Sequence, residues 1–291
     1  VVIGNPPYQR NDKETRQANL GKSLWTDFLH KSFNIVSDNG CVALITPKGW
    51  MSPGSSALQH FQQRQVLWID ANTVDQHFPQ IGSTFSAFVI KNAPVTTSTK
   101  ITDKSGATIE VSLQNVPYFP ALLSAVSLSI LGKTTYAPNP KLCVKASYEL
   151  HSDRKHLLSK TVDDKHIYRV FHTNAQEWYS SQQHSAHTLK KVVFSRSGSI
   201  QPKYDANCGV TEAGFYIEVG SEQEGVRLVG VLNSKLYQFI TKISKWSGFN
   251  VQPVLMLLPS VPLTALWTDA QLYKHFKLTQ EEIDLIEATV K

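Results

Sequence analysis

A chain of 291 residues, 41% of them hydrophobic, is long enough to bury one large core or two smaller ones. Lysine and arginine outnumber aspartate and glutamate by 29 to 23, a balance that suits a polyanionic partner without requiring one. Cys41, Cys143 and Cys208 are scattered and lack CxxC spacing, which argues against a disulfide framework and a zinc knuckle and fits a cytoplasmic setting; no signal-peptide pattern and no membrane-length apolar run is read.

Val1 to Gly4 form a short apolar run ended by a turn signal, the pattern of a strand buried on both faces, as in a parallel sheet. Apolar residues at helical spacing from Leu24 to Val36, stopped by Ser37-Asp38-Asn39-Gly40, predict an amphipathic helix. "CVALITP" (41–47) predicts another doubly buried strand, "KGWMSPGSSALQHFQQRQ" a loop running into a short helix, and "VLWID" and "TFSAFVIK" two further strands. Trp25, Trp50 and Trp68, inside these segments, are expected in the core. The alternation points to an α/β fold, here the C-terminal half of a doubly wound sheet. A doubly wound sheet needs strands beside its first one, so the chain is expected to be a fragment.

Composition shifts to Thr, Ser and Lys after residue 93, with Ser105-Gly106 as a hairpin turn. The expected organisation is a catalytic half over 1–95, a linker or hairpin over 96–118, and an α+β second domain over 119–291. In that domain the sequence predicts helices at about 119–131 and 226–243, strands in "HIYRVFH", "KKVVFSRS" and "GFYIEV", and a last helix opened by the capping box Thr279 and Glu282.

Asn5-Pro6-Pro7-Tyr8 stands where the first strand ends. Asn5 and Pro6 each precede a proline and are held extended, and the two prolines remove successive N–H donors, leaving carbonyl acceptors beside the Asn5 amide oxygen. Two acceptors and the flat face of Tyr8, at the edge of a parallel sheet where ligands bind, suit a planar ring bearing an exocyclic amine. Acceptors on its N–H bonds favour an electron-rich nitrogen able to attack an activated methyl group, and S-adenosylmethionine supplies such a methyl with its own leaving group. The bland alternative is a strand-ending turn.

These residues resemble the D/N-P-P-Y/F motif of the adenine-specific, amino-group DNA methyltransferases of restriction-modification systems. "VVIGNPPYQ", "LWTDFLHKSF", "NGCVALITPKGWM" and "HFPQIGSTFSAFVIK" are similar to successive blocks of the gamma-class enzymes, in which a target-recognition domain follows the catalytic half. The resemblance implies that Asn5 and Pro6 accept the bonds of a flipped adenine amine, that Tyr8 and Phe78 stack on its two faces, and that Pro7 lies toward the cofactor. It also implies a glycine-rich S-adenosylmethionine motif, which Gly40, Gly49, Gly54 and Gly82 do not form, so the cofactor site is incomplete in this chain and an upstream part of the same protein, or a second chain, is expected to carry it. Alone, the chain is expected to bind the cofactor poorly and to be inactive.

Double-stranded DNA is the expected partner and no membrane is. The cations Lys190, Lys191, Arg196 and Lys203 around a Ser/Gly loop, with Lys242 and Lys245 beside Trp246, are candidate DNA contacts or ordinary surface charges. The polar stretch "QRNDKETRQANLGK" is a candidate lid. No metal site is read, and His184 and His187 are expected to pack or lie at the surface. Two rival functions share these features: methyl transfer to a protein glutamine or to RNA, and a DNA-binding specificity module without catalysis.

Overall fold

The computed structural model describes residues 1–8, 24–78, 84–102, 106–113, 116–246 and 248–290, so the stretch read as a candidate lid lies outside the described residues. Two compact units divide at Leu128/Ser129, inside a helix.

In the first unit the elements run β1 (Val2–Gly4), α1 (Leu24–Ile35), β2 (Cys41–Pro47), α2 (Leu58–Gln63), β3 (Gln65–Asp70), β4 (Phe85–Lys91), β5 (Thr99–Thr102), β6 (Thr108–Val111) and α3 (Ala125–Lys133), the last crossing the division. They build a six-stranded sheet in the order β1-β2-β4-β3-β5-β6. The sheet is mixed: β1 runs parallel to β2 and β3 to β5, whereas β4 is antiparallel to both of its neighbours and β6 to β5. The stretch 96–118, expected as a linker or hairpin, supplies β5 and β6, a hairpin hydrogen-bonded onto this sheet.

The expectation that β1 is buried on both faces is corrected. It is an edge strand paired only with β2 among the described residues, and Ile3 is 82% exposed because no layer covers it there. Strand β2, also expected to be doubly buried, alternates instead, with Val42, Leu44 and Thr46 inside. Helix α1 buries Trp25, Leu29 and Phe33, one residue every four, as the 3.6-residue period requires. The turn that follows it contains a left-handed Asn39, with φ of 60°, and then Gly40, where a Cβ would come within 2.7 Å of the Val36 side chain. Trp50 stacks on Phe61 at 3.6 Å and anchors an aromatic core with Phe88 and Phe119, its indole N–H donating to Ser86 Oγ. Trp68 is only half-buried, its indole donating to Thr102 at the sheet surface.

The second unit holds two four-stranded sheets. One has the order β13 (Gly209–Val210), β9 (Tyr168–Thr173), β10 (Gln176–Ser180), β8 (Leu158–Ser159); the other has β12 (Lys203–Asp205), β11 (Lys191–Ser195), β14 (Gly214–Glu218), β7 (Lys145–Ala146). All five residues of β11 are buried. Helices α4 (Glu222–Asn233), α5 (Lys235–Ile243), α6 (Gln252–Leu255), α7 (Asp269–His275) and α8 (Gln280–Thr289) follow. Helix α4 lies close against β12, since a Cβ on Gly225 would meet the Tyr204 ring at 2.3 Å. The single helix expected over 226–243 is two helices. Ser234 turns extended, with ψ of 152°, and its hydroxyl caps α5 by accepting from the Tyr237 N–H, so the apolar period continues while the backbone ladder breaks. The predicted capping box at Thr279 and Glu282 opens α8, and Glu282 also pairs with Lys133 at 2.7 Å. Among the described residues no helix is long and apolar enough to cross a membrane.

Candidate active site at one edge of the first sheet

The carboxyl ends of β1, β2 and β3 and the amino end of the antiparallel β4 fall at the same edge of the first sheet. Asn5 to Tyr8 leave β1 there, with Pro6 buried, Asn5 and Pro7 exposed, and Tyr8 half-buried. The Tyr8 carbonyl accepts from the Leu24 N–H at 3.2 Å, tying the turn to the start of α1. The Tyr8 hydroxyl donates to Asn5 Oδ1, so the acceptor expected for a ligand amine is engaged by the neighbouring phenol. Burial pushes the Tyr8 phenol up, against the opposing effect of the Asn5 bond, and the group stays a neutral donor.

Phe78 ends a short 3₁₀ turn, Val74–His77, and is half-buried. Tyr8 and Phe78 are brought together through a third ring: Phe85, fully buried, lies 5.1 Å from Tyr8 and 4.6 Å from Phe78, tilted to each. Phe85 escaped sequence reasoning because its alternating strand pattern marks it as core; only its place as the first residue of β4 marks it as edge.

The segment carrying Phe78 is clamped by Asp75. The Asp75 carboxylate pairs with Lys48 Nζ at 2.8 Å and accepts from the Phe85 N–H, and its carbonyl accepts from the Phe78 N–H at 3.0 Å. Lys48, read only as loop, is buried, and its own N–H donates to the Thr84 carbonyl at 3.1 Å. One ion pair therefore fixes the ends of β2 and β4 and the turn before Phe78.

The methyl donor implied by the sequence fits this edge poorly. Asp70 is engaged by Asn72 and Thr73, Asp75 is engaged as above, and Pro7 offers no side-chain donor or acceptor. Asp70 and Asp75 are thus both occupied within the chain and are not free to hold the ribose or ammonium of such a cofactor.

The candidate DNA contacts lie in the second unit and separate into groups. Lys191 is fully buried, its ammonium donating to the carbonyls of Ala186 and Leu189, and burial lowers its pKa; it cannot reach a phosphate from there, which corrects its inclusion. Lys190 and Lys203 are exposed, and Lys203 sits 5.1 Å above the Phe171 ring. Lys242 and Lys245 line one cleft, Lys242 donating to the Thr289 carbonyl, while Arg196 begins the loop after β11. The Arg196 carbonyl accepts from the Asn250 N–H at 2.7 Å, and Lys245 donates to the Gly198 carbonyl. His184 and His187 are buried, with lowered pKa values caused chiefly by burial; His184 bonds Ser147 at 2.7 Å. Among the described residues no three metal-ligating side chains gather.

The first unit is a mixed α/β sheet with a polar-proline-aromatic turn at one edge. Residues 1–72 are similar to the model of the Eco57I restriction-modification methylase family. No curated protein matches the chain in sequence. In fold it is similar to the Type IIL restriction-modification enzyme MmeI, solved in complex with DNA, with a TM-score of 0.54 at 10% identity over 99% of this chain and 54% of that one. A nuclease-deletion mutant of the Type ISP enzyme LlaGI, in complex with a DNA substrate mimic, matches with a TM-score of 0.47 at 9% identity over 89% of this chain and 33% of that one. The chain thus spans about half the length of the MmeI chain.

Proposed function

We propose that the chain carries the base-holding side of an adenine-specific, gamma-class DNA methyltransferase of a restriction-modification system, followed by a domain that recognises DNA. The observation that carries this reading is the grouping at one sheet edge of the Asn5 and Pro6 acceptors with Tyr8 and Phe78, both packed on Phe85. A stacked duplex hides its amine groups, so the adenine has to be flipped out to reach this edge. The amine then takes Asn5 Oδ1 from the Tyr8 hydroxyl and adds the Pro6 carbonyl as its second acceptor, while the two outer rings stack on the base. S-adenosylmethionine, the proposed donor, supplies an electrophilic methyl group when bound; we propose that it is held by another part of the same protein or a second chain.

The test is methyl transfer to an adenine-containing duplex by the protein completed with its donor-binding part. Asn5→Ala is expected to lower the rate by about 10²–10³-fold with DNA binding retained, the scale of losing one preorganised polar contact to the reacting group. Unchanged transfer would remove the reading. If neither the complete protein nor the variant transfers methyl groups but both bind DNA, the chain is a specificity module.

A further inference from the structure

The second unit contains a cleft of about 570 Å³, and two of the candidate DNA contacts, Lys242 and Lys245, line it. One wall is the exposed stripe of α5 and the turn after it, where Lys235, Gln238, Lys242 and Lys245 recur at spacings of three and four; the other is formed by Gly198, Ser199 and Asn250. Lys235 is neutralised by Glu287. Lys242 and Lys245 are not: their ammonium groups donate to the carbonyls of Thr289 and Gly198, and neither meets a carboxylate among the described residues.

A carbonyl orients an ammonium without cancelling its charge. Lys245 is also half-buried, and the loss of hydration lowers its pKa, so an anion that entered the cleft would restore what the cation has lost. The backbone of Phe249 bridges to Ser197, which ties the segment after Lys245 to the loop that forms the facing wall. Two lysines that meet no carboxylate, side by side on one wall, suit the phosphates of a polyanion, whose neighbouring charges reinforce the attraction and release counterions on binding.

We propose that this cleft seats one backbone phosphate of DNA between Lys242 and Lys245. The inference rests on the DNA-binding part of the reading above and adds to it a specific anchor.

The test is the binding of a fluorescent duplex by the 291-residue chain across a KCl series, followed by anisotropy. Replacing both lysines (Lys242→Gln with Lys245→Gln) is expected to weaken binding and to flatten the slope of log affinity against log salt by about two, near one per phosphate-contacting lysine. The double arginine variant is expected to keep the slope. Ser199→Glu, on the exposed loop facing the two lysines across the cleft, is expected to weaken binding by charge, which covers the case of a glutamine variant that folds poorly. An unchanged slope in the folded glutamine variant, or undiminished binding by Ser199→Glu, overturns the anchor and leaves the DNA reading standing. Absence of any salt-dependent binding by the unmodified chain removes both. Inorganic phosphate at constant ionic strength serves as competitor: displacement of DNA at millimolar phosphate assigns the cleft to free phosphate and overturns the DNA commitment.

Discussion

Tyr8 combines a stacking face with a hydroxyl that occupies the acceptor its neighbour would offer to a ligand. These properties separate by substitution. Tyr8→Phe keeps the ring against Phe85 and frees Asn5 Oδ1, so binding of a duplex carrying 2-aminopurine at the target is expected to be maintained or tightened, with its fluorescence increase intact. Tyr8→Ala removes the ring and is expected to cost about 1–3 kcal/mol of binding, the usual worth of one base–aromatic stack, and to abolish most of the fluorescence change. Equal behaviour of the two variants would show that the ring does not stack on the base. The turn itself was legible in the sequence because its chemistry is local: four consecutive residues fix both backbone direction and acceptors. Phe85 was not, because its role depends on rings 77 and seven residues away in sequence meeting at the start of one strand.

At the scale of elements, the Lys48–Asp75 pair holds three chain segments at the sheet edge. Lys48→Met keeps the apolar stem but leaves the Asp75 carboxylate with only the Phe85 N–H, and is expected to destabilise the first unit by about 2 kcal/mol in urea unfolding. Because the turn before Phe78 loosens as well, stacking in the complete protein is expected to weaken, while Lys48→Arg restores both. A Met variant with normal stability and normal 2-aminopurine signal would show that the pair does not hold the turn before Phe78. The same scale shows where sequence patterns run out. Helix α1 was legible from its apolar period and glycine stop, helix α8 from its capping box, and strand β4 from its apolar run. The break at Ser234 was not, since the apolar stripe runs on through it and only the serine hydroxyl signals a new start. The exposure of β1 was hidden for a related reason: an apolar run records what a strand is suited to pack against, not which neighbours the described residues provide.

Across the whole molecule, stability is tied to buried neutral histidines in both units. In the first, the Arg64 guanidinium bonds His60 Nδ1 at 2.9 Å and His60 Nε2 bonds His30 Nδ1 at 2.7 Å, an order that requires His60 to be neutral and to donate toward His30. Burial, with Arg64 and His30 adding to it, lowers the His60 pKa to about 4. In the second unit, burial likewise lowers His172, His184 and His187. Each of these groups takes up a proton more readily when unfolded. Their contribution to stability is therefore complete above the unfolded-state value, near 6.5, and is lost as pH falls through that value toward the folded one. Carboxylates held low, such as Asp205 and Glu282, lose their contribution only at lower pH, so the interval from about 6.5 to 4.5 belongs to the histidines. The urea midpoint is expected to fall between pH 7.5 and pH 5.5, by at most about 1.4 kcal/mol per pH unit for each histidine. His60→Gln, which keeps a hydrogen-bonding side chain without titrating, is expected to flatten the part of this dependence that belongs to the first unit and to leave the second unit's part in place. A midpoint that does not move over this interval would mean that the four imidazoles are hydrated enough in the folded chain to accept their protons there.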